Sequence, residues 1–280
     1  MSGLKVKPEK RRGGDAPSRE RADAALVRRG LASSREKAQA LVMAGLVLAG
    51  GRKVEKPGQP VKPDQILQVL AGPPYVGRGG LKLEEALEVF GLDVAGAVAA
   101  DLGSSTGGFT DCLLQRGARR VYAVDVDTRQ LDRKLQRDPR VTAVEKNARL
   151  LGPADFPDAP DLVTVDLSFI SVLKVLPAIR AFLGKGRLLA LLKPQFEAGR
   201  AEAGRGRGVI RDRGVHARVL RSLIADAADM GFGLEGLMKC STAGQKGNRE
   251  FFALWSLREA PPESERVERL VEEVVWDEKD

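Results

Sequence analysis

Short apolar runs alternate with amphipathic stretches along most of the chain. Stretches with helical spacing separate the runs, which lie at 98–102, 121–126, 141–144, 162–167 and 188–192. Short buried strands that alternate with helices are typical of a parallel sheet covered on both faces. Two later runs, 233–238 and 251–257, are so close in sequence that we expect an antiparallel pair. The pattern predicts an α/β fold with a doubly wound sheet.

The first 80 residues follow a different pattern. Residues 21–29 have helical spacing, and Ser33 followed by Glu36 forms a capping box that predicts the start of a second helix. Two short runs, 46–49 and 66–70, are separated by turns that contain glycine and proline, and they predict strands. These elements predict a small α+β domain before the larger sheet.

Changes in composition define the predicted domain boundaries. The first residues mix Lys, Arg, Gly and Pro with few large apolar side chains, which predicts a disordered basic tail. Near the C-terminus, apolar residues recur at helical spacing among acidic ones, which predicts an acidic helix packed on the body. The predicted organisation is a tail at 1–19, a small domain at 20–72, a linker at 73–80, a large domain at 81–258 and a C-terminal helix at 259–280.

The positive charge of the chain is concentrated at its N-terminal end. Residues 1–82 contain 17 Lys and Arg against 7 Asp and Glu, whereas the remaining residues contain 29 against 31. A solvated surface usually intersperses its signs. The segregated charge therefore indicates that the N-terminal segment binds a polyanion, with nucleic acid as the expected partner. A merely solvated basic surface is the alternative.

Other classes of protein are disfavoured by the sequence. It has no run of eighteen apolar residues, and its basic start is not followed by a hydrophobic segment, so we expect a cytoplasmic protein with no membrane partner. Cys112, Cys240 and His216 are not at the spacing of metal ligands, and we predict no metal site. Both cysteines are expected to be core residues, and we assign no role to His216.

A glycine-rich segment follows the first strand of the predicted sheet and opens a helix. Its glycines allow a ligand to approach the backbone at the helix N-terminus. The spacing differs from G-x-G-x-x-G, and the charge of Asp101 at the strand end suits the amino group of a methionine moiety better than a pyrophosphate. A carboxylate at the end of the next strand can bind both ribose hydroxyls. A turn without a ligand is the alternative. We predict an S-adenosylmethionine site formed by Asp101, Gly103, Ser104, Ser105, Thr106, Gly107, Gly108, Phe109, Asp125, Val126 and Asp166.

Four short motifs characterise the N-terminal domain. They are Arg21-Ala-Asp23, Ser33-Ser-Arg-Glu-Lys-Ala38, Gly45-Leu-Val47 and Val61-Lys-Pro-Asp64. Together they resemble the S-four-type RNA-binding domain. Cationic side chains and free backbone N–H groups at a helix N-terminus can hold a phosphate. A second cationic segment, the arginine- and glycine-rich loop near 200–213, is expected to clamp the substrate. The predicted RNA contacts are Arg21, Ser34, Arg35, Lys37, Arg52, Lys53, Arg78, Arg205 and Arg207.

Three motifs of the large domain follow or precede predicted strands, where a doubly wound sheet gathers its ligands. They are Asp166-Leu-Ser-Phe-Ile, Lys193-Pro-Gln-Phe-Glu197 and Gly247-Asn-Arg-Glu250. A lysine at the end of a buried strand is costly without a partner, so we expect either Asp166 or Glu250 beside Lys193. A purely stabilising ion pair is the alternative interpretation.

Together with Arg78-Gly-Gly-Leu-Lys82, these motifs resemble the FtsJ-type ribose methyltransferases, and the domain order resembles the TlyA (hemolysin A) family. The resemblance implies a Rossmann-like methyltransferase domain with a catalytic tetrad of Lys82, Asp166, Lys193 and Glu250. It also implies methyl transfer to a ribose 2′-hydroxyl, with ribosomal RNA or ribosomal subunits as the partner and cytidine as the acceptor.

The acceptor chemistry assigns a role to one lysine. A ribose hydroxyl is a weak nucleophile at neutral pH, and we expect Lys193, as the neutral amine, to accept its proton. A pseudouridine synthase is an alternative that also carries an S-four-type domain, but residues 128–132 lack its Gly-Arg-Leu-Asp setting. A non-catalytic RNA-binding or assembly protein is a second alternative. A pore-forming hemolysin is disfavoured because no spanning helix is encoded.

Overall fold

The computed structural model of the chain divides into two compact units, 1–74 and 75–280. Each unit has a buried apolar core of its own. The division between the units lies inside the segment predicted as a linker. The residues that the structure describes are 4–6, 19–43, 45–70, 72, 74–198, 208–244, 247–257 and 264–276.

The N-terminal unit combines two short helices with a small sheet. Its elements are β1 (Leu4–Val6), β2 (Glu20–Arg21), α1 (Ala22–Arg28), α2 (Arg35–Met43), β3 (Val47–Ala49), β4 (Arg52–Lys53), β5 (Pro60–Val61) and β6 (Leu67–Val69). The main sheet has the order β1-β6-β3-β4, and β2 pairs with β5. Leu26 and Val42 of the helices share one core with Val47 and Leu67 of the sheet. The predicted α+β domain is confirmed.

One prediction for this unit is wrong at its start. Leu4–Val6 form a strand that pairs antiparallel with β6, whereas we predicted a disordered tail over 1–19. Leu4 and Val6 flank Lys5 in the two-residue period of a strand, and β6 offers an edge with which it can pair. Residues 1–3 and 7–18 of the predicted tail lie outside the described residues.

Local residues set the boundaries of the two helices. α1 ends two residues before Gly30, whose φ of 70° favours glycine. α2 begins at Arg35, and the side-chain oxygen of Ser34 accepts the backbone N–H of Lys37 at 3.2 Å. The capping residue is therefore Ser34 and not the predicted Ser33.

The C-terminal unit is organised around a large mixed sheet. The strands are β7 (Val98–Leu102), β8 (Arg120–Asp125), β9 (Val141–Glu145), β10 (Leu162–Val165), β11 (Arg187–Leu192), β12 (Phe232–Lys239) and β13 (Phe251–Leu257). The helices are α3 (Gly79–Val89), α4 (Gly108–Gln115), α5 (Arg133–Gln136), α6 (Leu176–Leu183), α7 (Pro194–Glu197), α8 (Arg213–Asp229) and α9 (Ser264–Trp276).

The strand order is β12-β13-β11-β10-β7-β8-β9, and neighbouring strands are parallel except where β13 pairs with β11 and β12. The predicted doubly wound sheet and its late antiparallel pair are confirmed. From β7 the chain proceeds outward through β8 and β9 on one side, and through β10 and β11 on the other. Loops after β7 and β10 therefore diverge, which opens a crevice at the carboxyl ends of these strands.

Helices cover both faces of this sheet. All five residues of β7 are buried, and their side chains alternate between the faces. Ala100 and Leu102 contribute to the core beneath α6, α8 and α9, whereas Ala99 contributes to the core beneath α3 and α4. Val271 and Val275 of α9 are buried in the first of these cores, so the acidic helix packs on the body as predicted.

The linker predicted over 73–80 extends too far. Gly79 and Gly80 form the first turn of α3. A side chain at position 80 would overlap the ring of Tyr75, so close packing requires glycine there. Glycine content alone does not distinguish a flexible linker from a closely packed helix start.

Cys112 and Cys240 are buried and form no disulfide, as predicted for core residues. His216 is also buried, and its Nε2 lies 3.1 Å from the carbonyl oxygen of Ile210. Burial lowers the pKa of His216, which favours the neutral imidazole. These three side chains belong to the interior of the unit.

Candidate active site

A cavity of about 300 Å³ lies at the carboxyl ends of β7, β10 and β11. Its volume is at the lower end of the range for small-molecule sites. The start of α3 and the turn between β12 and β13 complete its wall. Many of the predicted site residues line it, namely Arg78, Lys82, Gly103, Ser104, Ser105, Thr106, Gly108, Phe109, Asp166, Lys193 and Glu250. The cavity therefore brings the predicted cofactor loop and the predicted catalytic residues together.

The glycine loop after β7 turns sharply before α4 begins. Gly103 and Gly107 have φ angles of 87° and 95°, and Ser105 between them has a φ of 48°. These angles lie in the left-handed region, which favours glycine. A Cβ at Gly103 would also lie 2.5 Å from the carbonyl oxygen of Asp166. Backbone conformation and close approach both require glycine at this position.

Two polar side chains distinguish the loop as a ligand site. Ser104 lines the cavity, and its Oγ is buried with no hydrogen-bond partner in the part of the chain that the structure describes. An unsatisfied buried hydroxyl is unfavourable, so a ligand that bonds to it is stabilised. The Asp125 carboxylate accepts the backbone N–H groups of Ser105, at 2.9 Å, and Asp127, at 3.2 Å. Asp125 therefore holds the loop through its hydrogen bond to the backbone of Ser105.

Asp101 differs from the prediction. It is fully buried in β7, and its carboxylate accepts the hydroxyl groups of Thr110 at 2.7 Å and Thr164 at 3.2 Å. Burial raises the pKa of Asp101 to about 7, and these two hydrogen bonds oppose the rise. The side chain thus connects β7 to α4 and β10 in place of the predicted ligand contact. Three other predicted cofactor residues also lie outside the described cavity wall, namely Gly107, Asp125 and Val126.

Two lysine–carboxylate pairs face the cavity. Lys193 Nζ lies 2.5 Å from Asp166 Oδ1 and donates a hydrogen bond to Ser168 Oγ at 3.1 Å. Lys82 Nζ donates to Glu250 Oε2 at 2.6 Å. The two lysine side chains are only 10% and 12% exposed, so each charge depends on its partner for compensation. The sequence left the partner of Lys193 open, and the structure gives Asp166.

α3 holds the turn that carries Glu250. Lys82 contacts Glu250 directly, and Glu85 lies three residues further along the same helix face. Glu85 accepts the backbone N–H of Ser241 at 3.1 Å and its hydroxyl at 3.0 Å. A side chain at Gly244 would overlap the Glu250 carboxylate. The position of Glu250 is therefore fixed from two sides.

Sequence reasoning missed an aromatic pair on the cavity wall. Phe169 is 87% exposed and has a φ of 66°, which is rare for a residue other than glycine. Its ring centroid lies 5.0 Å from that of Phe196. Each phenylalanine lies three residues after the charged residue of its motif, Asp166 or Lys193, and this shared spacing was the available signal. The other wall residues that were missed are Gly77, Gly79, Ser168, Gln195, Thr242 and Ala243.

In the N-terminal unit, two predicted RNA contacts surround a buried carboxylate. Arg21 donates hydrogen bonds to Asp23 at 3.0 and 2.8 Å, and Arg35 donates another at 3.3 Å. The Arg21 bonds above all hold the pKa of Asp23 well below its usual range. Both arginine side chains remain more than half exposed, at 51% and 60%. Their charges are fixed in place and still accessible.

The remaining predicted RNA contacts have different placements. Ser34 and Lys37 lie at the start of α2, and Arg52 and Lys53 form the exposed strand β4. Arg78 belongs to the cavity wall of the C-terminal unit. Most of the arginine-rich loop lies outside the described residues, including Arg205 and Arg207.

The sequence matches two known families. The family model described as FtsJ-like methyltransferase matches residues 75–256, and the S4 domain matches residues 20–67. The chain belongs to the FtsJ-like methyltransferase family. Every cavity residue lies inside the FtsJ-like match, so the resemblance inferred from the motifs is confirmed for the unit that holds the cavity.

Relatives of this FtsJ-like methyltransferase match across both units. The Bacillus subtilis protein YqxC, to which an rRNA methyltransferase activity is ascribed, is 47% identical over 237 residues, covering 83% of this chain and 84% of the relative. The 16S/23S rRNA (cytidine-2′-O)-methyltransferase TlyA of Mycobacterium tuberculosis is 43% identical over 241 residues, covering 85% and 89%. A solved structure ascribed to a hemolysin from Streptococcus thermophilus is 41% identical, with a TM-score of 0.69, and the match covers 92% and 95%.

Neither a membrane-spanning helix nor a metal-binding cluster occurs among the described residues. None of their helices combines the length and the apolar character needed to cross a membrane. The same residues contain no group of three His, Cys, Asp or Glu side chains arranged to hold a metal ion.

Proposed function

We propose that this protein transfers the methyl group of S-adenosylmethionine to a ribose 2′-hydroxyl of ribosomal RNA, with cytidine as the acceptor. One observation carries the proposal: a glycine loop and two lysine–carboxylate pairs meet in a single cavity. The activity for which the Mycobacterium tuberculosis relative is named supports cytidine in ribosomal RNA as the substrate. Ribosomal RNA as the substrate also favours the cytoplasm as the place of action.

The glycine-loop end of the cavity fits the cofactor. Ser104 offers a buried hydroxyl that lacks a partner among the described residues, and the glycines leave room for a ligand beside the backbone. Phe109 provides an apolar surface where α4 begins. Asp125 lies beside the loop but outside the cavity wall, and it is proposed to bind ribose hydroxyls through the lone pairs that the N–H groups of Ser105 and Asp127 leave free. When bound, the cofactor supplies an electrophilic methyl group.

The other end of the cavity carries groups that handle a hydroxyl. Lys193, as the neutral amine, accepts the proton of the acceptor hydroxyl while Asp166 holds its Nζ. The positive charge of Lys82, held by Glu250, stabilises negative charge that develops on the acceptor oxygen. A nucleobase taken out of a stacked strand can stack on an exposed aromatic ring, and Phe169 provides one.

The N-terminal unit is the proposed source of RNA affinity. It matches the S4 domain and, with the residues up to 82, contains the whole positive excess of the chain. Its exposed Arg21 and Arg35 offer cationic groups to phosphates. Phosphate contacts set affinity and register without reading sequence, so the choice of nucleotide is assigned to the cavity.

The proposal is tested by incubating the full-length protein with methyl-labelled S-adenosylmethionine and either free ribosomal RNA or isolated ribosomal subunits. Digestion to nucleosides and mass spectrometry should then identify 2′-O-methylcytidine as the labelled product. Label on a base, or on a ribose other than that of cytidine, would contradict the proposed acceptor. RNA binding without any methyl transfer would favour a non-catalytic RNA-binding protein. The appearance of pseudouridine would favour a pseudouridine synthase.

A further inference from the structure

We infer that Ser168 is a positioning residue for the proposed proton transfer. Its hydroxyl accepts a hydrogen bond from Lys193 Nζ, and the Asp166 carboxylate makes an ion pair with the same nitrogen, so that the two partners together set how the amine is oriented at the cavity. The inference rests on the proposed function, because it matters only if Lys193 accepts a proton.

The geometry around Lys193 supports this inference. Its Nζ is bonded to Cε, lies 2.5 Å from Asp166 Oδ1 and donates to Ser168 Oγ at 3.1 Å. The contact with Asp166 is an ion pair, and the bond to Ser168 is the hydrogen bond that orients the nitrogen. Lys193 and Ser168 both line the cavity, and the lysine side chain is 10% exposed. The amine therefore remains accessible to a ligand in the cavity.

The protonation state of the amine determines what it presents to such a ligand. A neutral amine has two N–H bonds and one lone pair, and it rotates about the Cε–Nζ bond unless both N–H bonds are held. The hydrogen bond to Ser168 holds one N–H bond, and the charge of Asp166 attracts the hydrogen of the other, so loss of the Ser168 hydroxyl would free this rotation. The acceptor O–H bond then breaks with its electron pair left on the oxygen, and the proton forms a third N–H bond on Lys193. The resulting ammonium releases this proton to solvent between turnovers.

A hydrogen bond from a side chain also links the segment that carries Ser168 to the segment that carries Lys193. Glu197 lies in α7, four residues after Lys193, and its Oε1 accepts the backbone N–H of Val172 at 2.9 Å. Val172 follows the segment that carries Ser168 and the left-handed Phe169. This bond links the two segments without involving either the serine hydroxyl or the lysine amine.

Full-length Ser168→Ala and Ser168→Thr variants test the inference in single-turnover methyl transfer at saturating RNA and cofactor. Ser168→Ala should be about tenfold slower, equivalent to about 1.4 kcal/mol in the barrier, because the lone pair is no longer directed. Ser168→Thr retains the hydroxyl and should stay within about threefold of the parent rate. Calorimetric Kd values for S-adenosylmethionine and RNA, and the Tm, should be unchanged in both variants.

Ser171→Ala is the matched control. Ser171 lies in the same segment, where its Oγ accepts the backbone N–H of Leu173 at 3.2 Å and its hydroxyl also bonds to Glu197, so its loss loosens the segment and leaves the bond between Ser168 and Lys193 in place. We expect the parent rate from this variant. An equal loss of rate in both alanine variants, an unchanged rate in Ser168→Ala, or a weakened cofactor Kd that accounts for its loss would each overturn the positioning role. Absence of transfer by the parent protein would instead remove the proposed function itself.

Discussion

Two aspartates, one in each unit, are fully buried and yet have opposite shifts in pKa. Asp23 receives hydrogen bonds from Arg21 and Arg35, and its pKa is held well below the usual range. Asp101 receives hydrogen bonds from the hydroxyl groups of Thr110 and Thr164, which carry no charge, and burial raises its pKa to about 7. Burial alone therefore does not decide whether a carboxyl is ionised, because the charge of its partners can outweigh it.

The same comparison separates the roles of cations in the two units. In the N-terminal unit the carboxylate is buried and its arginines are exposed, which suits a surface that meets phosphates. In the C-terminal unit the lysines themselves have little exposure, 12% for Lys82 and 10% for Lys193, and both pair with carboxylates at a cavity. Cations of the first kind are expected to act through charge alone, whereas those of the second kind act through the chemistry of the amine.

The largest expected effect comes from Lys193→Arg. Arginine keeps the positive charge, but its guanidinium stays protonated and cannot accept the proton of a hydroxyl. The single-turnover rate of methyl transfer should fall by about a hundredfold to ten-thousandfold, the usual range for loss of a general base. RNA and cofactor affinities, measured in parallel, should change little.

Lys185→Arg is the matched control for this substitution. Lys185 is exposed and lies just before the start of β11, the strand that Lys193 follows. The control should turn over at the parent rate. Near-normal turnover by Lys193→Arg would contradict the general-base assignment and remove the proposed chemical difference between the two kinds of cation.

The second expected effect is a pH dependence of stability that distinguishes the two buried aspartates. An unfolded aspartate ionises near pH 4, whereas folded Asp101 keeps its proton up to about pH 7. Between these values the folded state holds one more proton, so rising pH should lower the free energy of unfolding by about 1.4 kcal/mol per unit. Asp101→Asn removes this term, and its stability relative to the parent should rise across the same window.

The stability of Asp23→Asn relative to the parent should instead fall as the pH rises toward pH 4. The pKa of folded Asp23 is lowered, so its contribution is present above about pH 4 and is lost as the pH falls further. Urea unfolding between pH 3 and pH 8 measures both variants against the parent. Parallel curves for parent and Asp101→Asn between pH 4 and pH 7 would show that Asp101 is ionised in spite of its burial.

The smallest expected effect is on RNA binding by Arg35→Ala. Loss of one phosphate contact should weaken RNA binding and reduce the slope of log affinity against log salt by about 0.7 to 0.9. Arg129→Ala is a matched control, because Arg129 is also an exposed arginine paired with an aspartate, Asp127, in the C-terminal unit. An equal change in slope for both variants would contradict a special role for the N-terminal unit.

The sequence was sufficient to predict the elements that carry the site and the charged residues that line its cavity. Apolar runs mark the strands because both faces of a parallel sheet are buried. Lys193 was conspicuous because a charge directly after such a run requires a partner. The carboxyl ends of parallel strands meet at one edge of a sheet, so the sequence could place Lys193 near Asp166 or Glu250, and the structure was needed to choose Asp166.

What the sequence did not predict depends on side-chain direction and on contacts distant in sequence. Asp101 was expected to face a ligand, but at its position in β7 the carboxylate meets threonines of α4 and β10. The pairing of Lys82 with Glu250 joins residues 168 positions apart. The exposure of Phe169 depends on a backbone angle that phenylalanine rarely adopts, and no pattern in the sequence indicated that angle.

Gly103 has a consequence for how mutations of the site should be interpreted. Its Cα faces the carbonyl oxygen of Asp166 so closely that a Cβ would lie 2.5 Å from it. Any side chain introduced at 103 therefore displaces the residue that holds Lys193 as well as the loop itself. A single substitution at Gly103 would therefore impair both the glycine loop and the position of Lys193. The residues at the ends of β7 and β10 cannot change independently of each other.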